Sequence, residues 1–494
     1  MVRPLKILLV SPLTPDTFWS FRHALRFVAK RASMPPLGLL TIAALLPREW
    51  ELKLVDLNVE RLRDEDVRRA DYVLLSAMIV HRESVREIVA RCARLGTPVI
   101  AGGPLFTTDH ASFPEIRHFV LGEAEELMPE LVRDLAAGRP KPLYRSPRRP
   151  AMALTPVPRW DLINPRHYVT MTVQFSRGCP FDCEFCDIVV MNGRVPRTKS
   201  PEQLIAELEA LRQRGWKDMV FIVDDNFIGN KRRTKELLRA IIAWRQRTRA
   251  TMGFLTEASV NLAEDRELYT LMVEAGFKKV FIGIETPALE SLEECRKLQN
   301  RGRDLMGAIA TLQRAGLQVM GGFIVGFDSD PQDIFKRQFE FIQRSGVVTA
   351  MVGLLTALPQ TRLWHRLARE GRLEEDSTGD NTDGSLNFKP KISRETLQQG
   401  YRELMKRLYE PRTYYRRVRT FLKSHRPAGP RLHLSWSDVR AFVKSFWLLG
   451  VWHRGRLLYW WLMLTTLLRR PRQFPQAIEL AILGYHFRRV ASRI

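Results

Sequence analysis

The chain has 494 residues, long enough for two or three domains that each bury a core, and its 45% hydrophobic and 27% charged residues are those of a globular protein. A formal charge of +24 is far from ordinary and points to an anionic partner. Five cysteines, at 92, 179, 183, 186 and 295, with three of them inside eight residues, exclude a disulfide framework and suit a reducing compartment with one dedicated thiolate site.

The opening Met-Val-Arg-Pro-Leu-Lys-Ile-Leu-Leu-Val runs into Ser11 and Pro12 without a small-residue cleavage site, so it reads as a first β-strand and not as a signal peptide. Further short apolar runs follow at Leu52–Asp56, Tyr72–Ser76, Pro98–Gly103 and His118–Gly122, with helical periods between them to about Ala137. Continuous apolar strands separated by helices predict a doubly wound parallel sheet covered on both faces, assigned to residues 1–145. Ligands of such sheets bind beyond the carboxyl ends of the strands, which singles out the loops after Val10, Asp56, Leu75, Ala101 and Leu121.

Residues 138–165 are dense in proline and lack periodicity, and 146–165 are read as an extended linker. A second series occupies 166–373. Its strands are expected at Val169–Phe175, Met219–Asp224, Gly253–Glu257, Lys279–Glu285, Leu317–Val325 and Thr349–Ala357, with helices such as Pro201–Arg214 and Thr234–Arg247 between them. Six strands alternating with helices suit an open βα barrel with its chemistry at the carboxyl ends of the strands.

The remainder, 374–494, is a polar loop followed by basic helices. From Tyr401 to Ile494 there are 20 Lys and Arg against 4 Asp and Glu, so this fifth of the chain carries +16 of the +24. Its longest apolar run, Leu457–Leu468, has 12 residues, short of the ~20 that a membrane-crossing helix needs. Trp447, Trp452, Tyr459, Trp460 and Trp461 interleave with Arg and Lys. That pattern suits a segment lying in a membrane interface, a helical bundle with a charged exterior, or a surface for RNA. Tracking phosphates does not require a Leu-Leu-Tyr-Trp-Trp-Leu-Met-Leu core, so nucleic acid is the weakest of the three.

Cys179, Cys183 and Cys186 form C-x3-C-x2-C immediately after an expected strand. Three thiolates on one loop can hold three irons of a cubane and leave the fourth open. The alternative, a zinc site with a remote fourth ligand, lacks a second C-x2-C or a nearby H-x3-H. Cys92 and Cys295 fall in helical patterns and read as ordinary thiols.

This spacing resembles that of the radical SAM superfamily, and the resemblance covers about 166–360. It implies a [4Fe-4S] cluster whose open iron binds S-adenosylmethionine, and a 5′-deoxyadenosyl radical that takes hydrogen from substrate. It implies S-adenosylmethionine contacts from Asp224, Asp225 and Asn226, which stand where the family has Gly-Gly-Glu, and from Glu257 with Ser259 for the ribose. It also implies Glu285, after the fourth strand, and Gly322 and Gly326, in the stretch beside adenine, where Ser329 replaces a common Glu.

The N-terminal region is similar to the cobalamin-binding domain of the cobalamin-dependent members, through Gly38 in Pro-Pro-Leu-Gly-Leu-Leu, Gly102-Gly103-Pro104 and Gly122-Glu123-Ala124-Glu125. The resemblance implies close backbone approach to the corrin at Gly102 and Gly103 and lining by Gly38, Ser76 and Glu123. The D-x-H-x-x-G signature is absent, so the lower face of cobalt is expected to meet the loop Ser76–His81 with Met78 as neighbour, and His81 reads as a solvated helix-start residue.

Phe-Ser-Arg-Gly-Cys-Pro-Phe-Asp-Cys-Glu-Phe-Cys, Gly193–Lys199, Val223–Asn230 and Gly322–Asp328 together resemble the group containing the hopanoid C-2 methylases. That implies methylation of an unactivated carbon of a polycyclic isoprenoid lipid, with methylcobalamin as donor, a second S-adenosylmethionine for remethylation, and reduced ferredoxin or flavodoxin as electron source. The expected location is cytoplasmic or peripheral on the inner face of the cell membrane. The rivals are a radical C-C coupling, cyclisation or epimerisation, and RNA modification.

Overall fold

The computed structural model describes residues 4–380, 382–430 and 436–494. Its first sheet comprises β1 (Lys6–Ser11), β2 (Glu51–Asp56), β3 (Tyr72–Ser76), β4 (Val99–Gly102), β5 (His118–Leu121) and β6 (Leu143–Arg145), all parallel, in the order β2-β1-β3-β4-β5-β6. Helices cover both faces, which is why Ile7 to Val10 and Val73 to Leu75 are apolar without alternation and buried. The strand order reverses at β1, so the crevice for a ligand lies above the carboxyl ends of β1 and β3. The edge strand β6 lies at the end of the segment 1–145 and just before the linker: three residues in a proline-dense stretch show no period, yet they complete the sheet through pairs such as Phe119 with Leu143.

The second sheet is the open barrel. It contains β7 (Met171–Val173), β10 (Met219–Ile222), β11 (Gly253–Ala258), β12 (Phe277–Glu285), β13 (Gln318–Val325) and β14 (Ala350–Leu354), all parallel, in the order β14-β13-β12-β11-β10-β7. Between β7 and β10 a small antiparallel pair, β8 (Ser176–Arg177) with β9 (Arg197–Thr198), closes the cysteine segment into a loop. The doubly wound sheet, the six-stranded barrel and the helical tail agree with the fold expected from the sequence. In the barrel register Phe221 pairs with Leu255, Leu255 with Lys279, and Lys279 with Gln318. The next positions on the same face are Glu257, Phe281 and Met320, then Gly283 and Gly322.

Local chemistry fixes the helices. At Pro201–Gln213 the Ser200 hydroxyl accepts from the Gln203 amide at 3.3 Å while the Gln203 side chain accepts from the Ser200 N–H at 3.0 Å, a reciprocal cap at the start of a helix of the barrel.

In the tail, helices Arg394–Tyr409, Pro411–Ser424 and Phe474–Ala491 form a bundle against the barrel. Tyr401 donates to the Val352 carbonyl at 2.9 Å and Tyr414 to that of Leu480 at 2.6 Å. The last helix also reaches the first domain, where His486 Nε2 donates to the Phe18 carbonyl at 3.1 Å and Arg493 pairs with Asp16. Helices Trp436–Ser445 and Arg456–Arg469, joined by the π-helical turn Phe446–Trp452, lie outermost. No helix among the described residues is long and apolar enough to cross a membrane.

Just past the linker Tyr168 anchors the second segment to the first sheet, its buried hydroxyl donating to Asp56 Oδ2 at 3.0 Å. Tyr168→Phe should therefore lower the unfolding free energy by about 1–3 kcal/mol, measured by urea denaturation. An unchanged midpoint would show that this bond does not hold the two sheets together.

Candidate functional site

The three cysteines sit on the loop closed by β8 and β9, at the carboxyl end of the barrel. Gly178 opens that loop at φ +100°, and a Cβ there would stand 3.0 Å from the carbonyl oxygens of Gly193 and Val195, so no other residue fits. The Cys179 N–H donates to the Gly193 carbonyl at 3.1 Å and the Cys186 N–H to that of Cys183 at 3.1 Å. Cys183 is buried and its neighbours are half-buried.

The triplet after β10 holds this loop. Asp224 accepts from the Phe175 and Ser176 N–H groups at 2.7 and 2.9 Å and from the Ser176 hydroxyl at 2.6 Å. Asp225 accepts from the Gly178 N–H at 2.7 Å and the Asn192 amide at 2.9 Å. Asn226 points its amide at Cys179 Sγ, 3.7 Å away, and at Ser259 Oγ, 3.2 Å away. Two of the residues that sequence position assigned to S-adenosylmethionine, Asp224 and Asp225, thus bond to the cysteine loop and the strand that opens it, while Asn226 bridges that loop to Ser259. Burial pushes the Asp224 carboxyl up to about 7.

Glu257 has no partner for its carboxyl among the described residues. Burial and then Asp225 push it up to about 8, so it is neutral at pH 7. Ser259 lies beside it, its hydroxyl donating to Asn261 Oδ1 at 2.6 Å. Glu285 sits at a bulge in β12 with φ +63° and pairs with Lys297 at 2.5 Å. Burial alone would lower the Lys297 ammonium, but the charges of Glu285 and of a Cys183 thiolate outweigh it and hold it raised. Gln299 Nε2 lies 3.4 Å from Cys183 Sγ. Gly322 lies under the Phe281 ring, and a Cβ on Gly326, at φ +109°, would stand 3.2 Å from Leu397 and 3.6 Å from Leu355.

The donor set fits a cubane better than a single ion. Among the described residues only Asp16, His23 and His486 bring three ligand atoms within 4.8 Å of one another. The three sulfurs do not meet that limit, so at least one pair lies farther apart than 4.8 Å, against the roughly 3.8 Å expected between thiolates on one tetrahedral zinc. Burial raises the Cys179 and Cys186 thiols, and a positive metal group is what would hold them as thiolates. Donors from Asn226 and Gln299 to two sulfurs are the kind of contact that tunes an iron-sulfur cluster.

Directly beside this loop, a cleft of about 350 Å³ separates the two sheets. The first domain lines it with Gly38, Ser76, Gly102, Gly103 and Glu123, and the barrel with Gln174, Arg177, Asn192 and Val223. Gly103 has φ +92°, and a Cβ on it would meet Ser76 Oγ at 2.7 Å. The cleft runs down between the helix Leu37–Leu45 and the sheet, a slot open to a flat group with a tail. Glu123 is committed to ion pairs, 2.7 Å from Arg177 and also with Arg197, while Glu125 takes Arg177 at 2.7 Å.

Met78 is 51% exposed and stands outside the lining of the cleft. His81 corrects the expectation of a solvated side chain: it is buried, its Nδ1 accepting from the Met78 N–H at 3.2 Å and its Nε2 lying 3.2 Å from Thr14 Oγ1. Burial lowers it to about 4, so it stays neutral and is fully used inside its own domain. The sequence reading missed Arg177, Asn192, Lys297 and Gln299. Arg177 and Asn192 flank the cysteine loop and could have been noticed there, whereas Lys297 and Gln299 lie in the turn Arg296–Arg303, where no period or motif marks them.

Residues 28–132 match the B12 binding domain, 173–342 the radical SAM superfamily, and 361–494 a domain of unknown function. The chain is 40% identical to an uncharacterized methyltransferase of Synechocystis over 98% of its own length and 91% of that protein's. It is 32% identical to the hopanoid C-2 methylase of Rhodopseudomonas palustris, over 94% of this chain and 90% of that one. The structure of OxsB, a cobalamin-dependent S-adenosylmethionine radical enzyme, superposes with a TM-score of 0.64 at 14% identity, covering 100% of this chain and 80% of OxsB.

The Glu285–Lys297 pair is buried, so removing one partner strands the other. Lys297→Met should destabilise the protein by about 3–5 kcal/mol, and adding Glu285→Gln should recover most of that. Thermal unfolding of both variants checks it; equal stability of Lys297→Met and the parent would show that the pair is open to solvent.

Proposed function

This chain belongs to the cobalamin-binding radical SAM methyltransferases, and on that premise we propose that it methylates an unactivated carbon of a polycyclic isoprenoid lipid. Its cofactors are a [4Fe-4S] cluster, S-adenosylmethionine and cobalamin. When bound they supply abstraction of hydrogen from carbon and a methyl group to replace it. The observation that carries the reading is the cleft shared by the carboxyl ends of both sheets, which lets a carbon exposed to one cofactor be reached from the other.

In this reading Cys179, Cys183 and Cys186 ligate three irons. Asp224 and Asp225 fix the loop that presents them, and Asn226 and Gln299 donate to two of the sulfurs. Lys297 balances their negative charge from within the protein. Glu257 is neutral at pH 7 and offers an O–H to a ribose hydroxyl while Ser259 offers a second contact. Gly102 and Gly103 leave the backbone bare beside the corrin, and Ser76 faces the same cleft. Support for an isoprenoid substrate comes from the hopanoid C-2 methylase, similar over nearly the whole of both chains.

Anaerobically reconstituted protein incubated with methyl-labelled S-adenosylmethionine and triterpenoid extract should transfer label to lipid and not to tRNA. Cys183→Ala should abolish 5′-deoxyadenosine formation. An unlabelled but altered lipid would replace methyl transfer by rearrangement or cyclisation. S-adenosylmethionine affinity should fall as pH rises through about 8, where Glu257 loses its proton; Glu257→Gln should flatten that profile, and a parent profile flat between pH 7 and 9 would remove Glu257 from the ribose site.

A further inference from the structure

The amino end of the barrel leads into a second cavity, of about 400 Å³, on the opposite side from the cysteine loop. Phe221, Leu255 and Met320 form its barrel wall, and Leu25, Phe442 and Ile482 its helical wall. Leu255 lies two residues before Glu257 on the same face of β11, so the cavity ends one pleat, roughly 7 Å, beneath the candidate site. The partition is aromatic: Trp19 stacks on Phe221 with centroids 6.2 Å apart and packs against Phe281 at 5.2 Å.

The lining is mostly apolar, with the Lys279–Glu479 ion pair and Asp438 as its charged members. Gln318 Nε2 and Thr349 Oγ1 are buried without a hydrogen bond, and both residues line the cavity. Both atoms are sealed from the open space, so the wall suits a ligand with a large apolar body and a small polar end beside the ion pair.

The mouth lies beside the helix Trp436–Ser445, where Val439 both lines the cavity and is exposed. Exposed apolar side chains continue from it at helical spacing: Trp436, Val439, Val443 and Trp447 along one helix and its turn, Leu457, Trp461, Leu464 and Leu468 along the next. Between Asp438 and Glu479 the chain has seven Lys and Arg and no Asp or Glu. A face that is both apolar and strongly basic repels a second copy of itself and attracts anionic headgroups.

We propose that the helices Trp436–Ser445 and Arg456–Arg469 dock on an anionic lipid bilayer, and that an isoprenoid lipid passes from it through the adjoining cavity to enter the barrel from its amino end. The proposal deepens the lipid-methylating reading and rests on it for the identity of the ligand. Trp19 is then the gate between the store of lipid and the radical site, and cobalamin, at the other end of the barrel, does not obstruct entry.

The test uses the full-length holoprotein and vesicles of phosphatidylcholine with or without phosphatidylglycerol. It should float with the phosphatidylglycerol vesicles only, and be released by high salt. Leu464→Glu with Leu468→Glu should weaken flotation by about tenfold or more, with circular dichroism matching the parent. A diazirine-bearing sterol in the same vesicles should label peptides containing Leu25, Leu255, Phe442 or Ile482. Failure to float, or a dimer that the Leu464 and Leu468 substitutions dissolve, would overturn the docking. Label confined to the loops around Gln174, Asn192 and Val223 would overturn the route even if methylated product forms. Label in the cavity without methyl transfer from S-adenosylmethionine would instead overturn the lipid-methylating reading and leave the route standing.

Discussion

Two half-sites built on separate sheets can act on one carbon only if they are held face to face, and the side chain that does this is Arg177. It stands two residues before Cys179, and its guanidinium lies between Glu123 and Glu125 of the first domain, both within 2.7 Å. Arg197, at the other end of the same loop, shares Glu123. All four side chains are largely buried, so moving the cysteine loop away from the first sheet would strand charges at about 3–5 kcal/mol apiece. The network therefore acts less as a source of net stability than as a constraint on geometry: alternative placements of the loop are the states it penalises.

The same loop is fixed from the other side by Asp224 and Asp225. A carboxylate can accept several N–H bonds at once, and each aspartate takes up backbone donors of a segment too short to form its own ladder. Their burial leaves the site crowded with acidic groups, of which Asp224 and Glu257 are pushed toward their neutral forms. Lys297 is the cation that faces the sulfurs in this space, held by Glu285 at a bulge in β12. The consequence is a pocket in which hydrogen-bond donors and one ammonium surround the sulfurs, with little free negative charge to oppose electron entry.

Much of this was legible in the sequence. Short runs rich in apolar residues, separated by helical periods, identify both parallel sheets, and three cysteines after a strand identify the loop, because each signal is local. What was not legible depends on distant chain. Asp224, Asp225 and Asn226 look alike whether they face a ligand or the neighbouring loop, and only the pairing of β10 with β7 brings them to Ser176 and Gly178. His81 reads as solvated beside charged Arg82 and Glu83, yet the turn after β3 folds it onto Thr14. Gln299 lies 116 residues from Cys183, which it contacts, and Lys297 stands in the same turn, with no period to mark it. The strand β6 is three residues at a sheet edge, too short for alternation to show.

The two ends of the barrel differ in the kind of surface they expose, and the difference follows from single steps along each strand. On β11 the lumen-facing residues change from Leu255 to Glu257, on β10 Phe221 is followed two positions on by Val223 beside the aspartates, and on β12 Phe281 gives way to Gly283. A mostly apolar chamber, whose Lys279 is neutralised by Glu479, thus meets a polar one across a single layer of aromatic rings. Because the helix Phe474–Ala491 lines that chamber, its His486 binding Phe18 and Arg493 just past its end pairing with Asp16, the tail is tied to the segment that carries Trp19. Any displacement of the tail at a surface would reach Trp19 through those two contacts before it reached the cysteines, which are held independently by Arg177 and the aspartates. That separation lets one end of the barrel yield to a bulky apolar molecule while the other keeps the geometry that its chemistry demands.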